Sequence, residues 1–247
     1  MTHSPAKISC RLDLPAALAR HNIGSLLHGN IMERLPPETA EKLHRYRYNP
    51  IKQRLALAGG AAVWEIVCLE GALAAELAGV FRGLRSIELK RHGAHVPVSD
   101  MRIEEIDLRG FVDGHMFCAG PRKLVRLAFL SPTSFKSGKD YDIFPDAKKL
   151  LRSVMLNFDY FSPATKLYDY EALDYFAGQT KITDYSLQSA RFCLDGARIP
   201  SFKGKITIRL TGSDQTLRFL NLILSFGELC GVGIKTSLGM GHVRVAG

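Results

Sequence analysis

Apolar and polar positions alternate with a period of two over 7–14, so a half-buried strand is predicted there. The period then lengthens. Leu27, Ile31 and Leu35 recur at helical spacing and give a helix over 24–35 its core stripe, and Pro36-Pro37 ends it while priming a second short helix over 38–45. Strands are predicted over 51–57 and 61–68, joined at Gly59-Gly60, which suits a tight hairpin turn. A helix over 71–81 and an alternating stretch over 86–91 complete the order β-α-β-β-α-β, the split unit of a ferredoxin-like domain.

A similar pass begins near Lys123, without a residue-level repeat. Positions 124–130 alternate. Pro145-Asp146 starts a helix with Leu150, Leu151, Val154 and Phe158 inside and Lys148, Lys149 and Arg152 outside. Strands over 181–194 and 203–210, a helix over 216–229 and a last strand follow. The cluster Gly110, Gly114, Gly120 and Pro121 marks a linker near 109–122. The expected fold is α+β: two tandem ferredoxin-like (RRM-like) βαββαβ domains, 1–115 and 120–247, the second carrying a C-terminal glycine-rich loop.

That loop is the most distinctive segment of the chain. Gly231, Gly233, Gly239 and Gly241 enclose Lys235, Thr236 and Ser237, after a helix and before His242-Val-Arg-Val245. Closely spaced glycines clear side chains so that backbone N–H groups can approach an anion. A Walker loop needs Gly directly before Lys-Thr, whereas Ile234 stands there, and a dinucleotide fingerprint runs from strand to helix, the reverse of the order here. Both nucleotide motifs are excluded.

Composition points toward a polyanion. Thirty-three basic residues against 24 acidic leave a formal charge of +9. Five cysteines, odd in number and scattered without a C-x-x-C pair, read as buried thiols in a reducing cytoplasm. The N-terminus has no secretory pattern, and the most apolar stretch, 59–81, is broken by Glu65, Glu70 and Glu76, which are costly inside a bilayer. The expected location is cytoplasmic, with no membrane partner.

With its order of helix, Gly-x-Gly-x-Lys-x-Ser-Leu-Gly-x-Gly and strand, the tail resembles the C-terminal signature of the CRISPR-associated RAMP proteins, above all the repeat-processing endoribonucleases (the Cas-six family). The resemblance extends along the chain through Leu27-His-Gly-Asn-Ile-Met32, Ala40-Glu-Lys-Leu-His44, Tyr48-Asn-Pro-Ile-Lys52, Phe129-Leu-Ser-Pro-Thr133, Phe144-Pro-Asp146 and Ser201-Phe-Lys-Gly-Lys205. It implies a metal-independent cut of CRISPR repeat RNA, in which the ribose 2′-hydroxyl attacks the scissile phosphate to leave a 2′,3′-cyclic phosphate and a 5′-hydroxyl. No cofactor and no metal are expected. Effector-complex subunits and a second copy of the chain are the further partners it suggests. A RAMP RNA-binding subunit that holds guide RNA without cutting is the alternative, and the two histidines below separate the readings.

Such a cut needs a group to protonate the departing 5′-oxygen, and histidine holds and releases a proton near neutral pH. His44 lies at the end of the second helix, where the negative end of the helix dipole favours imidazolium. Position alone is also compatible with a surface residue capping that helix, and the family resemblance favours the acid. His28, beside the apolar stripe of the first helix, is either a half-buried structural residue or a second catalytic one. Some relatives carry a catalytic tyrosine in the first helix near where Met32 stands, a departure that leaves no tyrosine role there. Lys52 could stabilise charge on the phosphorane or lie solvated on its strand.

For binding RNA, Arg45, Tyr46, Arg47 and Tyr48 interleave rings and guanidiniums that stack on unpaired bases, although strand-edge packing would use the tyrosines equally well. Arg54, Lys203, Lys205, Gly231, Gly233, Lys235, Gly239 and Gly241 complete the candidate RNA contacts. His242 reads as a strand residue. His92 and His95 lack carboxylates or cysteines at ligand spacing, and Asp140, Asp142 and Asp146 read as turn and cap residues.

Overall fold

The computed structural model describes residues 3–18, 23–58, 61–162, 166–194 and 196–246. The Gly59-Gly60 turn lies outside them. The chain divides into two compact units, Met1–Asp107 with Ser237–Gly239, and Leu108–Thr236 with Met240–Gly247.

In the first unit, β1 (Ala6–Leu12) is followed by α1 (Gly24–Met32), α2 (Pro37–Arg45), β2 (Ile51–Ala58), β3 (Ala61–Cys68), α3 (Gly71–Arg82), β4 (Ser86–Leu89) and β5 (Ala94–Glu105). The sheet order is β2-β3-β1-β5-β4, every pair antiparallel. The strand that completes the ferredoxin-like sheet beside β1 is therefore β5, and the expected fourth strand is an edge hairpin arm, β4. The chain turns between them through a short 3₁₀ segment and Gly93, whose φ of 56° is left-handed. Along β5, Val96 and Val98 are buried and Ala94, Met101 and Ile103 are partly buried against the core, an alternation that changes phase between Val98 and Met101.

Alternation decides which face of each strand is covered. Ile8, Cys10 and Leu12 of β1, with Trp64 and Ile66 of β3, join Leu27, Ile31, Leu77 and Phe81 in one core. Trp64 meets Phe81 edge to face with ring centroids 5.4 Å apart. Burial pushes the Cys10 and Cys68 thiols up to about 12, so both are inert packing groups.

In the second unit, α4 (Leu108–Met116) occupies part of the stretch read as linker. It precedes β6 (Leu124–Thr133), a small hairpin of β7 (Phe135–Ser137) and β8 (Asp140–Asp142), α5 (Ala147–Phe161), α6 (Tyr170–Gly178), β9 (Thr180–Leu194), β10 (Ala197–Leu210), α7 (Asp214–Cys230) and β11 (Val243–Ala246). The sheet order β11-β6-β10-β9 is the 4-1-3-2 arrangement of a ferredoxin-like domain. Its helices start where their caps dictate: Asp146 accepts from the Lys149 N–H and Ser213 from the Thr216 N–H. Leu150, Leu151, Val154 and Phe158 of α5 are buried as the helical spacing requires, and Phe158 packs on Phe226 of α7. Among the described residues no helix is long and apolar enough to cross a membrane.

Candidate active site

His28 sits on the first unit's α1, a helix fixed at both ends. Near its C-terminal end the buried Asn30 amide donates to the Glu88 carbonyl of β4 at 2.8 Å, and Arg34 donates to Asn30 Oδ1 at 2.8 Å. At its start, the Gly24 carbonyl accepts from Gln53 Nε2 of β2 at 2.9 Å. His28 is half-buried, and its buried Nδ1 has no hydrogen-bond partner among the described residues. Unpartnered buried polar atoms are uncommon in folded proteins and call for an explanation, of which a catalytic role is one.

His44 stands exposed in the last turn of α2, a helix that presents Lys42, His44 and Arg45 at its C-terminal end. The two histidines influence each other electrostatically. Burial, with the charge of His44 added, lowers the His28 imidazole to about 4, so His28 is neutral at physiological pH. The neutral imidazole on α1 feels the charge of the exposed one on α2. Sequence position alone names both residues but does not show that one is buried and the other exposed.

Two polar clusters hold the surroundings of His44. The Tyr46 hydroxyl donates to Glu70 in a short hydrogen bond, and the Lys42 ammonium lies 3.3 Å from the same carboxylate and 5.6 Å from the centre of the Tyr46 ring. Tyr46 thus packs on the core and is tied to the segment before α3, while the Arg47 guanidinium lies 5.6 Å from the ring centre of Tyr48. Arg45 pairs with Glu41 at 2.5 Å on an exposed helix face, where such a pair adds little stability.

Lys52 is buried, at 7% exposure, opposite Val67 of β3. Alternation puts it on the sheet face away from Gln53, with Arg54 two residues on. Arg54 is bound to Glu65, which also pairs with Lys7 at 3.1 Å. Burial works to raise the Glu65 carboxyl, but the Arg54 charge and hydrogen bond, with Lys7, outweigh it and hold the group down at about 2.

In the second unit, Lys203 and Lys205 lie on β10 opposite Gln188 and Ser186. Lys205 is exposed, and burial lowers the Lys203 ammonium. The glycine loop is tightly self-packed. Added Cβ atoms at Gly233 and Gly241 would lie 2.2 Å from the Ser134 carbonyl oxygen and 2.0 Å from that of Val232, and at Gly231 2.8 Å from the Thr236 methyl. All three have positive φ. The N–H groups of Val232, Gly233, Ile234 and Gly241 donate to Gly241 O, Ser153 Oγ, Ser134 O and Pro132 O. Lys235, itself at φ 54°, is the exposed cation of the loop.

Beyond this geometry, residues 127–243 match the family described as CRISPR-associated endoribonuclease Cas6. A Mycobacterium tuberculosis relative of that description is 29% identical over 99% of this chain and 79% of its own length, and a Streptococcus thermophilus one is 26% identical over 95% and 94%. The chain is thus similar to the Cas6 endoribonucleases. Its fold agrees, since a Thermus thermophilus Cas6 superposes with a TM-score of 0.71 at 19% identity over the full length of both chains, and with 0.75 at 20% identity in a product complex that covers 98% of this chain and all of that one. The likeness in fold extends over both ferredoxin-like units.

Gln53 is the residue that sequence reading missed. A signal for it exists: positions 51, 53 and 55 share the buried face of β2, and a glutamine between Ile51 and Leu55 must find partners inside the core.

Proposed function

We propose that this protein cuts CRISPR precursor RNA within its repeats, without a metal ion, by internal attack of a ribose 2′-hydroxyl. The observation that carries the reading is the neutral, half-buried His28 with an unpartnered Nδ1, electrostatically coupled to the exposed His44. Neutral His28 takes the 2′-hydroxyl proton as the oxygen attacks phosphorus. The P–O5′ bond breaks, and imidazolium His44 gives its proton to the departing oxygen, leaving a 2′,3′-cyclic phosphate and a 5′-hydroxyl. Lys52 is assigned to charge on the phosphorane, and Arg45, Tyr46, Arg47, Tyr48, Arg54, Lys203, Lys205 and Lys235 to the RNA. Gly231, Gly233 and Gly241 serve by giving the Lys235 loop its shape, with Gly239 beside them.

Cleavage of repeat RNA in excess chelator tests this. His44→Ala and His28→Ala should each slow single-turnover cleavage by about 10²–10⁴-fold, and the upstream product should carry a cyclic phosphate. Cleavage that needs added Mg²⁺, or a His44→Ala variant within about tenfold of the parent, refutes the mechanism. The same reading assigns effector-complex subunits and a second copy of the chain as further partners, which light scattering with and without RNA will check.

A further inference from the structure

One buried amide joins the start of α1 to the tip of the glycine loop. Gln53, 3% exposed, donates from Nε2 to the Gly24 carbonyl at 2.9 Å and to the Ser237 carbonyl at 2.8 Å, while its Oε1 accepts from the Trp64 indole N–H at 2.8 Å. The orientation of the amide is unambiguous. An indole N–H can only donate, so it must face Oε1, and the NH₂ must then face the two carbonyls. Trp64 is 1% exposed and braced by Phe81.

Three features connect this amide to the candidate chemistry. In α1 the Gly24 carbonyl is also the acceptor that the helical repeat assigns to the N–H of His28, four residues on. The tip Ser237–Gly239 belongs to the same compact unit, and it presses on the same helix start, where a Cβ on Gly24 would stand 1.9 Å from the Leu238 carbonyl oxygen. Finally, α1 has no side-chain cap at its N-terminus, so the bond from Gln53 to the Gly24 carbonyl and the close packing against Leu238 are what tie the helix start to its surroundings.

We propose that Gln53, locked by Trp64, is a positioning residue that sets the start of α1 against the loop tip and thereby holds the His28 imidazole in its cleaving position. The inference rests on the assignment of His28 to the cleaving site. It gives the Ser237–Gly239 tip a role in the first unit besides any contact with RNA: its Ser237 carbonyl is half of what the amide reads. Reacting groups displaced by about 1 Å can lose about 10²-fold in rate.

The test compares the parent with Gln53→Met, Trp64→Phe and His28→Ala. Four quantities are read: single-turnover cleavage of repeat RNA at saturating protein, affinity for a repeat RNA blocked by a 2′-deoxy substitution at the cut, thermal unfolding, and the titration of the His28 ring protons by NMR. Gln53→Met should cut about 10- to 100-fold more slowly while binding the blocked RNA within about threefold of the parent, and His28 should titrate above its parental value as water reaches the loosened helix. Trp64→Phe keeps an aromatic ring but loses the N–H together with the pyrrole half of the indole, so, measured below its own unfolding temperature, it should show the same changes in weaker form, with cutting slowed about threefold or more. Cleavage by folded Gln53→Met within about twofold of the parent overturns the inference, as does a parent-like His28 titration. If Gln53→Met does not fold, an unslowed Trp64→Phe overturns it. A fully active His28→Ala instead removes the assignment on which the inference rests. A slow His28→Ala beside an unslowed Gln53→Met sinks the Gln53 role alone.

Discussion

Acidifying the protein from pH 7 to 4.5 should cost its first unit about 2 kcal/mol of stability that a His28→Gln variant does not lose. A basic group whose folded pKa is lowered binds fewer protons folded than unfolded, so acid favours the unfolded chain below the unfolded value. For His28 the window runs from 6.5 down to about 4. Above it both forms are neutral and the effect vanishes; inside it the loss approaches about 1.4 kcal/mol per pH unit, which integrates to about 2 kcal/mol by pH 4.5. Glu65 does not confuse the measurement, because its own penalty falls between 4.5 and about 2, where a carboxylate held low must be protonated. Urea unfolding followed by fluorescence is the natural assay, since Trp64 is the only tryptophan and lies buried in the first unit. The quantity of interest is the stability of the parent minus that of His28→Gln, at pH 7, 6, 5 and 4.5. It should fall steadily with acid. A difference constant to within about 0.5 kcal/mol would show that His28 titrates as in the unfolded chain, and the assignment of a neutral base would go with it.

Three other outcomes are expected. Gly241→Ala and Gly233→Ala should destabilise the second unit by about 3 kcal/mol or more, since both meet a backbone oxygen at positive φ, whereas Gly239→Ala, whose nearest neighbour is 3.6 Å away, should cost about 1–2 kcal/mol from backbone strain alone; circular dichroism melts that rank the three alike would refute the packing account. Repeat-RNA affinity should fall with salt, and Lys235→Ala should shallow the slope of log K against log[salt] by about one contact's worth, roughly 0.7–0.9; an unchanged slope removes Lys235 from the interface. Tyr46→Phe should destabilise the first unit by about 1 kcal/mol through loss of the bond to Glu70, which Trp64 fluorescence in urea will report.

Periodicity alone determined most of the elements of this protein: β1, the two short helices, the β2–β3 pair, α5 with its four buried residues, and α7 running into the glycine loop. Each is dictated by a repeat of two or near 3.6 in positions that must leave water, and such repeats are local. The motif order along the chain likewise pointed to the Cas6 relatives. Tertiary structure decided the rest. β5 takes its place beside β1 across a register shift between Ser9 and Arg11, and the change of phase between Val98 and Met101 that accompanies it is set by that pairing. The helix α4, none of whose residues is buried, shows no core stripe to read. The glycines spell a phosphate-binding loop by composition, yet at Gly231, Gly233 and Gly241 the space a side chain would fill belongs to the protein's own atoms, a fact fixed by contacts with Ser134, Val232 and Thr236. His28 and His44 could be named from sequence, but the neutrality of one beside the other follows from burial and mutual charge. Gln53 shows the division most plainly: its position on the apolar face of β2 is local information, whereas the three partners that satisfy its amide come from residues 24, 64 and 237, which only folding brings together.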